Sequence, residues 1–126
     1  MSKKIIHSIK GPKAVGPYSQ GVISNNLLFL SGQIPIDPAT GQLVGPDIQT
    51  QTEQVLKNLE AVLKAAGSDL QKVVKTSVFL KNVQDFPKMN AIYEKMFDSH
   101  KPARSTVEVS NLPQGALVEI DAIAEI

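Results

Sequence analysis

The stretch Pro46-Asp47-Ile48-Gln49-Thr50-Gln51-Thr52-Glu53-Gln54-Val55-Leu56-Lys57-Asn58-Leu59-Glu60-Ala61-Val62-Leu63-Lys64-Ala65-Ala66-Gly67 decides the fold. Apolar or methyl-bearing residues fall at Ile48, Thr52, Val55, Leu56, Leu59, Val62, Leu63 and Ala66, in steps of three and four that trace one face of a helix. Asp47 can cap the free amides of the first turn, and Gly67 supplies a left-handed stop. After a short connection, Val73 to Leu80 is rich in β-branched residues and reads as a strand. A helix between this strand and the one before it makes a parallel, right-handed crossover the default.

Toward the N-terminus, Ile5 to Ile9 reads as a short first strand, and Gly11-Pro12 and Gly16-Pro17 enforce a loop. Val22-Ile23 and Leu27 to Leu30 read as two strands joined at Asn25-Asn26, because Asn tolerates the left-handed conformation of a two-residue hairpin turn. Ser31-Gly32-Gln33 closes the second of them. Ile34 to Gly45 carries Pro35, Asp37-Pro38 and Gly41, and is expected to be an irregular excursion.

Toward the C-terminus, Asn82 or Asp85 can cap a second helix running to about Phe97, with Pro87 tolerated in its first turn. Its apolar stripe is Phe86, Met89, Ile92, Tyr93, Met96 and Phe97. Asn90 lies between Phe86 and Tyr93 on the buried side, where an amide must find hydrogen-bond partners; tying down a neighbouring loop would satisfy it. Ser105 to Val109 and Ala116 to about Ile126 are two more strands, separated by a turn at Asn111 to Gly115. The expected fold is α+β, a mixed sheet of about six strands with both helices on one face.

At 126 residues, 42% hydrophobic and 20% charged, the chain fits one domain spanning residues 1–126. Its net charge of +1 and scattered lysines give no electrostatic footprint for nucleic acid or an anionic membrane. The absence of cysteine removes disulfides, thiol chemistry and Cys-based metal sites. No apolar run nears the ~20 residues that span a bilayer, and a soluble, unprocessed, cytoplasmic protein is expected.

Arg104 is the only arginine beside twelve lysines, thirteen basic residues in all. Its guanidinium can hold a carboxylate by two parallel hydrogen bonds, which lysine cannot copy; it could equally be an ordinary ion-pair partner. Period-two alternation, with the apolar residues turned to the helices, puts Ser105, Val107 and Val109 on the helix side and Arg104, Thr106 and Glu108 on the other. In the last strand Val118, Ile120, Ala122 and Ala124 form the apolar row, leaving Leu117, Glu119, Asp121 and Ile123 opposite. The expectation is therefore a bare face carrying Arg104, Glu108, Glu119 and Asp121, either wet or packed on another copy.

Gly16-Pro17-Tyr18-Ser19-Gln20-Gly21, Ser31-Gly32-Gln33-Ile34-Pro35, Val74-Lys75-Thr76, Asn90 with Tyr93, Pro102-Ala103-Arg104-Ser105 and Val118-Glu119-Ile120 together resemble the reactive-intermediate deaminase (RidA/YjgF) family, in order and over nearly the whole chain. The resemblance implies a chorismate-mutase-like fold and a homotrimer whose three sheets form a central barrel, with a cleft between each pair of subunits. It implies hydrolysis of enamines and imines released by pyridoxal-phosphate enzymes, such as 2-aminoacrylate and 2-iminobutanoate, to 2-oxo acids and ammonia, with no metal or organic cofactor. Arg104 would grip the substrate carboxylate and Glu119 would orient water and move protons. Ser31 and Gly32 would supply backbone or hydroxyl donors, Tyr18 would close the cleft and Asn90 would support its wall. Many members have Cys where this chain has Thr106, to which only a binding role is assigned. A regulatory or chaperone-like module binding 2-oxo acids is the alternative. Ribonuclease activity or translation inhibition, also a label in this family, suits the near-neutral charge and few aromatic residues less well.

Overall fold

The structure is a computed structural model, and it describes residues 3–126. Strands β1 (Lys4–Ile6), β2 (Gly21–Ser24) and β3 (Leu27–Gln33) are followed by a small hairpin, β4 (Ile36–Asp37) and β5 (Gln42–Leu43). Helix α1 (Ile48–Ala65), strand β6 (Val73–Leu80), helix α2 (Phe86–Phe97), and strands β7 (Ala103–Glu108) and β8 (Val118–Glu125) complete the order. Six strands form one sheet in the order β1-β2-β3-β8-β6-β7.

Local chemistry accounts for the element ends. Asp47 accepts a hydrogen bond from the Thr50 amide at 2.9 Å, capping α1. Gly67, at φ +79°, gives the left-handed exit. Asn82 caps a 3-10 turn at Val83–Asp85 that leads into α2, whereas Asp85 makes no side-chain cap. Asn25 turns the β2–β3 hairpin at φ 57°.

The core forms where one face of α1 (Val55, Leu56, Leu59, Val62, Leu63) and the buried side of α2 (Met89, Tyr93, Phe97) cover Leu28, Leu30, Val78, Leu80, Val118, Ile120 and Ala122 of the sheet. Each such Leu or Val removed from water contributes about 1.5–3 kcal/mol. Both helices therefore lie on one face of the mixed sheet, as the periodicity predicts.

Three local expectations change, and the parallel crossover is met with a strand inserted. The first strand ends at Ile6, three residues early, because the Gln20 side chain claims the backbone of Ser8: the Ser8 amide donates to Gln20 Oε1 at 2.6 Å and Gln20 Nε2 donates back to the Ser8 carbonyl. The excursion from Ile34 to Gly45 holds the β4–β5 hairpin, turned with Gly41 at φ +74°. It is fixed to α1 by buried Asn58, whose Nδ2 donates to the carbonyls of Ile34 and Ile36. The strand expected after α1 does run parallel to β3, but β8 is inserted between them and pairs antiparallel with both; β7 is the strand that pairs parallel with β6. Leu117, assigned to the bare face, packs against the core.

The largest correction concerns β7. Arg104 pairs with Thr76 and Thr106 with Val78, both buried on the helix side. Directly paired residues share a sheet face, so Arg104, Thr106 and Glu108 face the helices, and Ser105 and exposed Val107 lie on the bare side. The alternation was right and its sense inverted. At this sheet edge the helix side is not a closed apolar layer: it is filled by Arg104 against α2 and by Glu108, which accepts the Val83 amide at 2.8 Å.

Candidate functional site

Arg104 is held by one face of α2. Phe86, Asn90 and Tyr93 follow at helical spacing and converge on the guanidinium. Arg104 Nη1 donates to Asn90 Oδ1 at 2.6 Å, and the guanidinium carbon stands 5.3 Å from the Phe86 ring centre and 4.8 Å from that of Tyr93. Two aromatic faces stabilise the cation without consuming its donors. The Tyr93 hydroxyl shares a 2.7 Å hydrogen bond with Thr76 Oγ1, which fixes the ring, and burial pushes its pKa up, keeping it neutral. Among the described residues no carboxylate lies within ion-pairing distance of Arg104. Within the chain the ordinary ion-pair reading is therefore not met, and the hydrogen-bonding need of Asn90 is met by Arg104 rather than by a loop. A cavity of about 380 Å³ opens beside this group, bounded also by Glu94, Asp98, His100 and Lys101.

Glu119 lies in a different cavity, of about 510 Å³, on the opposite face of the sheet. Its walls include Tyr18, Ser31, Gly32, Ile34, Ile36, Pro113 and Gln114. Ser31 and Gly32 reach it through a bulge in β3: Leu30 pairs with Ala122 and Gln33 with Ile120, so two residues oppose the single Asp121. The Ser31 hydroxyl donates to the Ser19 carbonyl at 2.5 Å and the Ser31 amide to the Gln20 carbonyl at 3.0 Å, so this side chain anchors the loop that carries Tyr18. Tyr18 itself is half exposed.

Burial, and secondarily the charge of Asp121, push the Glu119 carboxyl above its ordinary value. A half-buried carboxyl whose proton affinity is raised on folding stabilises the fold fully below the ordinary glutamate pKa of about 4.3, and this contribution is lost as pH rises through the raised value. We expect the melting temperature of Glu119→Gln to gain on the parental protein as pH increases from that ordinary value upward, then level off. Parallel melting curves at all pH values would show that Glu119 titrates as an exposed carboxylate.

Thr106 lines neither cavity, and its Oγ1 is buried without a hydrogen-bond partner. The site residues expected from the sequence thus fall into two groups, Arg104 with Asn90 and Glu119 with Tyr18, Ser31 and Gly32. Within one chain they are separated by β6 and by the thickness of the sheet. Sequence reasoning missed the roles of Gln20, Gln51 and Asn58 as loop anchors. Gln51 donates from Nε2 to the Val44 carbonyl and accepts the Leu117 amide on Oε1, and the signal for it and for Asn58 was available in α1, where two amides interrupt a face otherwise made of apolar and methyl-bearing residues.

The sequence pattern of the Endoribonuclease L-PSP family matches residues 8–126. The chain belongs to this family, the RidA/YjgF family. One RidA/YjgF relative, from Lactococcus lactis and named as a regulator, AldR, is 55% identical over 98% of both chains. The human protein named 2-iminobutanoate/2-iminopropanoate deaminase is 44% identical over 97% of this chain and 89% of its own length. Among solved structures, Escherichia coli TdcF with bound serine superposes with a TM-score of 0.93 at 40% identity, covering 98% of each chain. Some members most like this chain are thus named deaminases and others regulators. No helix among the described residues is long and apolar enough to cross a membrane.

Proposed function

We propose that this protein is a 2-iminobutanoate/2-iminopropanoate deaminase that works in a cleft between two copies of the chain. The observation that carries the reading is the partition of Arg104 and Glu119 between two cavities on opposite sheet faces. A small 2-imino acid carries its carboxylate directly on the imine carbon, so one substrate cannot span both groups of one chain. An Arg104 cavity of one copy set against a Glu119 cavity of the next would supply both. The half-apolar bare sheet face, with Phe29, Val107 and Ile123, gives such copies a surface to pack on. A homotrimer with three clefts is the arrangement we propose.

In that cleft, the free donors of Arg104 take the substrate carboxylate and orient the C=N carbon. Glu119 accepts a proton from water as the water oxygen bonds to that carbon and the C=N electron pair moves to nitrogen, which is protonated. The carbinolamine then collapses: the C–N bond breaks, ammonia leaves, and the 2-oxo acid remains. An enamine such as 2-aminoacrylate enters this path after protonation at carbon. The raised proton affinity of Glu119 suits a group that both takes and returns a proton. The 2-oxo-acid-binding regulator remains a second reading, favoured by the name of the Lactococcus lactis relative.

A coupled assay separates the two. Added to a pyridoxal-phosphate threonine dehydratase, the protein should accelerate release of 2-oxobutanoate and ammonia from the free imine. Binding of 2-oxobutanoate without acceleration would favour the regulator.

A further inference from the structure

Gly32 is not among the glycines held at positive φ, so its backbone alone does not demand glycine. What it lacks is space. A β-carbon built there would lie 2.2 Å from Glu119 Oε2, 3.0 Å from its Cδ and 3.2 Å from its Cγ. All three nearest atoms belong to one side chain, so the volume of the missing side chain is occupied by the Glu119 carboxylate. The β3 bulge brings the glycine there, by setting Ser31 and Gly32 together against Asp121.

We propose that Gly32 is a positioning residue for the reaction: by having no side chain it lets the Glu119 carboxylate lie against the backbone of β3, and any larger residue drives that carboxylate out of place. The inference rests on the deaminase reading for its catalytic meaning and on the packing alone for its structural content. Burial against β3 is also consistent with the raised proton affinity of Glu119. The other ionisable groups on that side include Asp121 and, further along the strand, Glu125 of β8, Lys75 of β6, and Lys13 and Tyr18 of the loop at the cavity wall. Gly32→Ala changes none of them.

The test is a double-mutant cycle of Gly32→Ala with Glu119→Asp, whose carboxylate is withdrawn by one methylene. Gly32→Ala should lower kcat by about 10²-fold, with little change in KM. In the Glu119→Asp background the same substitution should cost almost nothing, because the colliding atoms have moved away. A second readout needs no activity: the carboxyl carbon of Glu119, followed by NMR against pH, should titrate lower in Gly32→Ala than in the parental protein. An unchanged titration, or an equal Gly32→Ala penalty in both backgrounds, would overturn the proposal. So would a Gly32→Ala chain that unfolds in both backgrounds, since the glycine would then serve the bulge alone. A parental protein without deaminase activity defeats the functional reading instead, and the titration still decides the placement.

Discussion

Arg104→Lys should lower kcat/KM for imine hydrolysis by about two to three orders of magnitude even though it keeps the charge, and Arg104→Ala should lower it at least as far. Removing one side of a hydrogen-bonded charge pair costs about 2–5 kcal/mol, and tenfold in rate corresponds to about 1.4 kcal/mol. Lysine would lose both features that the structure gives the arginine. An ammonium cannot stack its plane between Phe86 and Tyr93, and it cannot donate to Asn90 while presenting a fork to a carboxylate. Steady-state kinetics with 2-iminobutanoate generated in situ would measure this. A Lys variant within threefold of the parental rate would show that only the charge matters and would remove the fork from the mechanism.

Mixing two inactive variants should restore activity. If each cleft takes Arg104 from one copy and Glu119 from its neighbour, chains carrying Arg104→Ala and chains carrying Glu119→Gln, exchanged at equal amounts, form a fully equipped cleft at about one interface in four. The mixture should then recover about a quarter of the parental activity, from variants that each have nearly none. Native mass spectrometry would confirm that subunits had exchanged and would report the assembly mass, expected at three chains. Full exchange without recovery would place the reaction within one chain and defeat the shared cleft.

Much of the fold was legible in the sequence because its elements rest on strong local signals. The α1 face, its Asp47 cap, Gly67 and the β-branched run at β6 each agree with what the structure shows. The miss at β7 has a definite cause. Ser105, Val107 and Val109 look like a core-facing row, but β7 is an edge strand, where burial is set by one helix and by polar contacts rather than by a closed apolar layer. The period could be read from the residues, and its direction could not. The β4–β5 hairpin was hidden because two-residue strands carry no alternation. For the site, the residue types were legible and their partition was not. Nothing within Pro102-Ala103-Arg104-Ser105 or Val118-Glu119-Ile120 tells that β6 lies between them with the side chains on opposite faces. The Asn90 partner was half legible, since an amide between two aromatic residues on a helix face must bond something, and the sole arginine was that partner.

Gln20 ties several segments of the chain together. Its Oε1 takes the Ser8 amide, its Nε2 serves the carbonyls of Ser8 and Pro12, and its own carbonyl accepts the Ser31 amide. The end of the first strand, the start of the Tyr18 loop and the Ser31-Gly32 bulge thus share one buried fastening. Local opening in this region is then expected to be cooperative: if the N-terminal segment peels from the sheet edge, the rim of the Glu119 cavity should loosen with it.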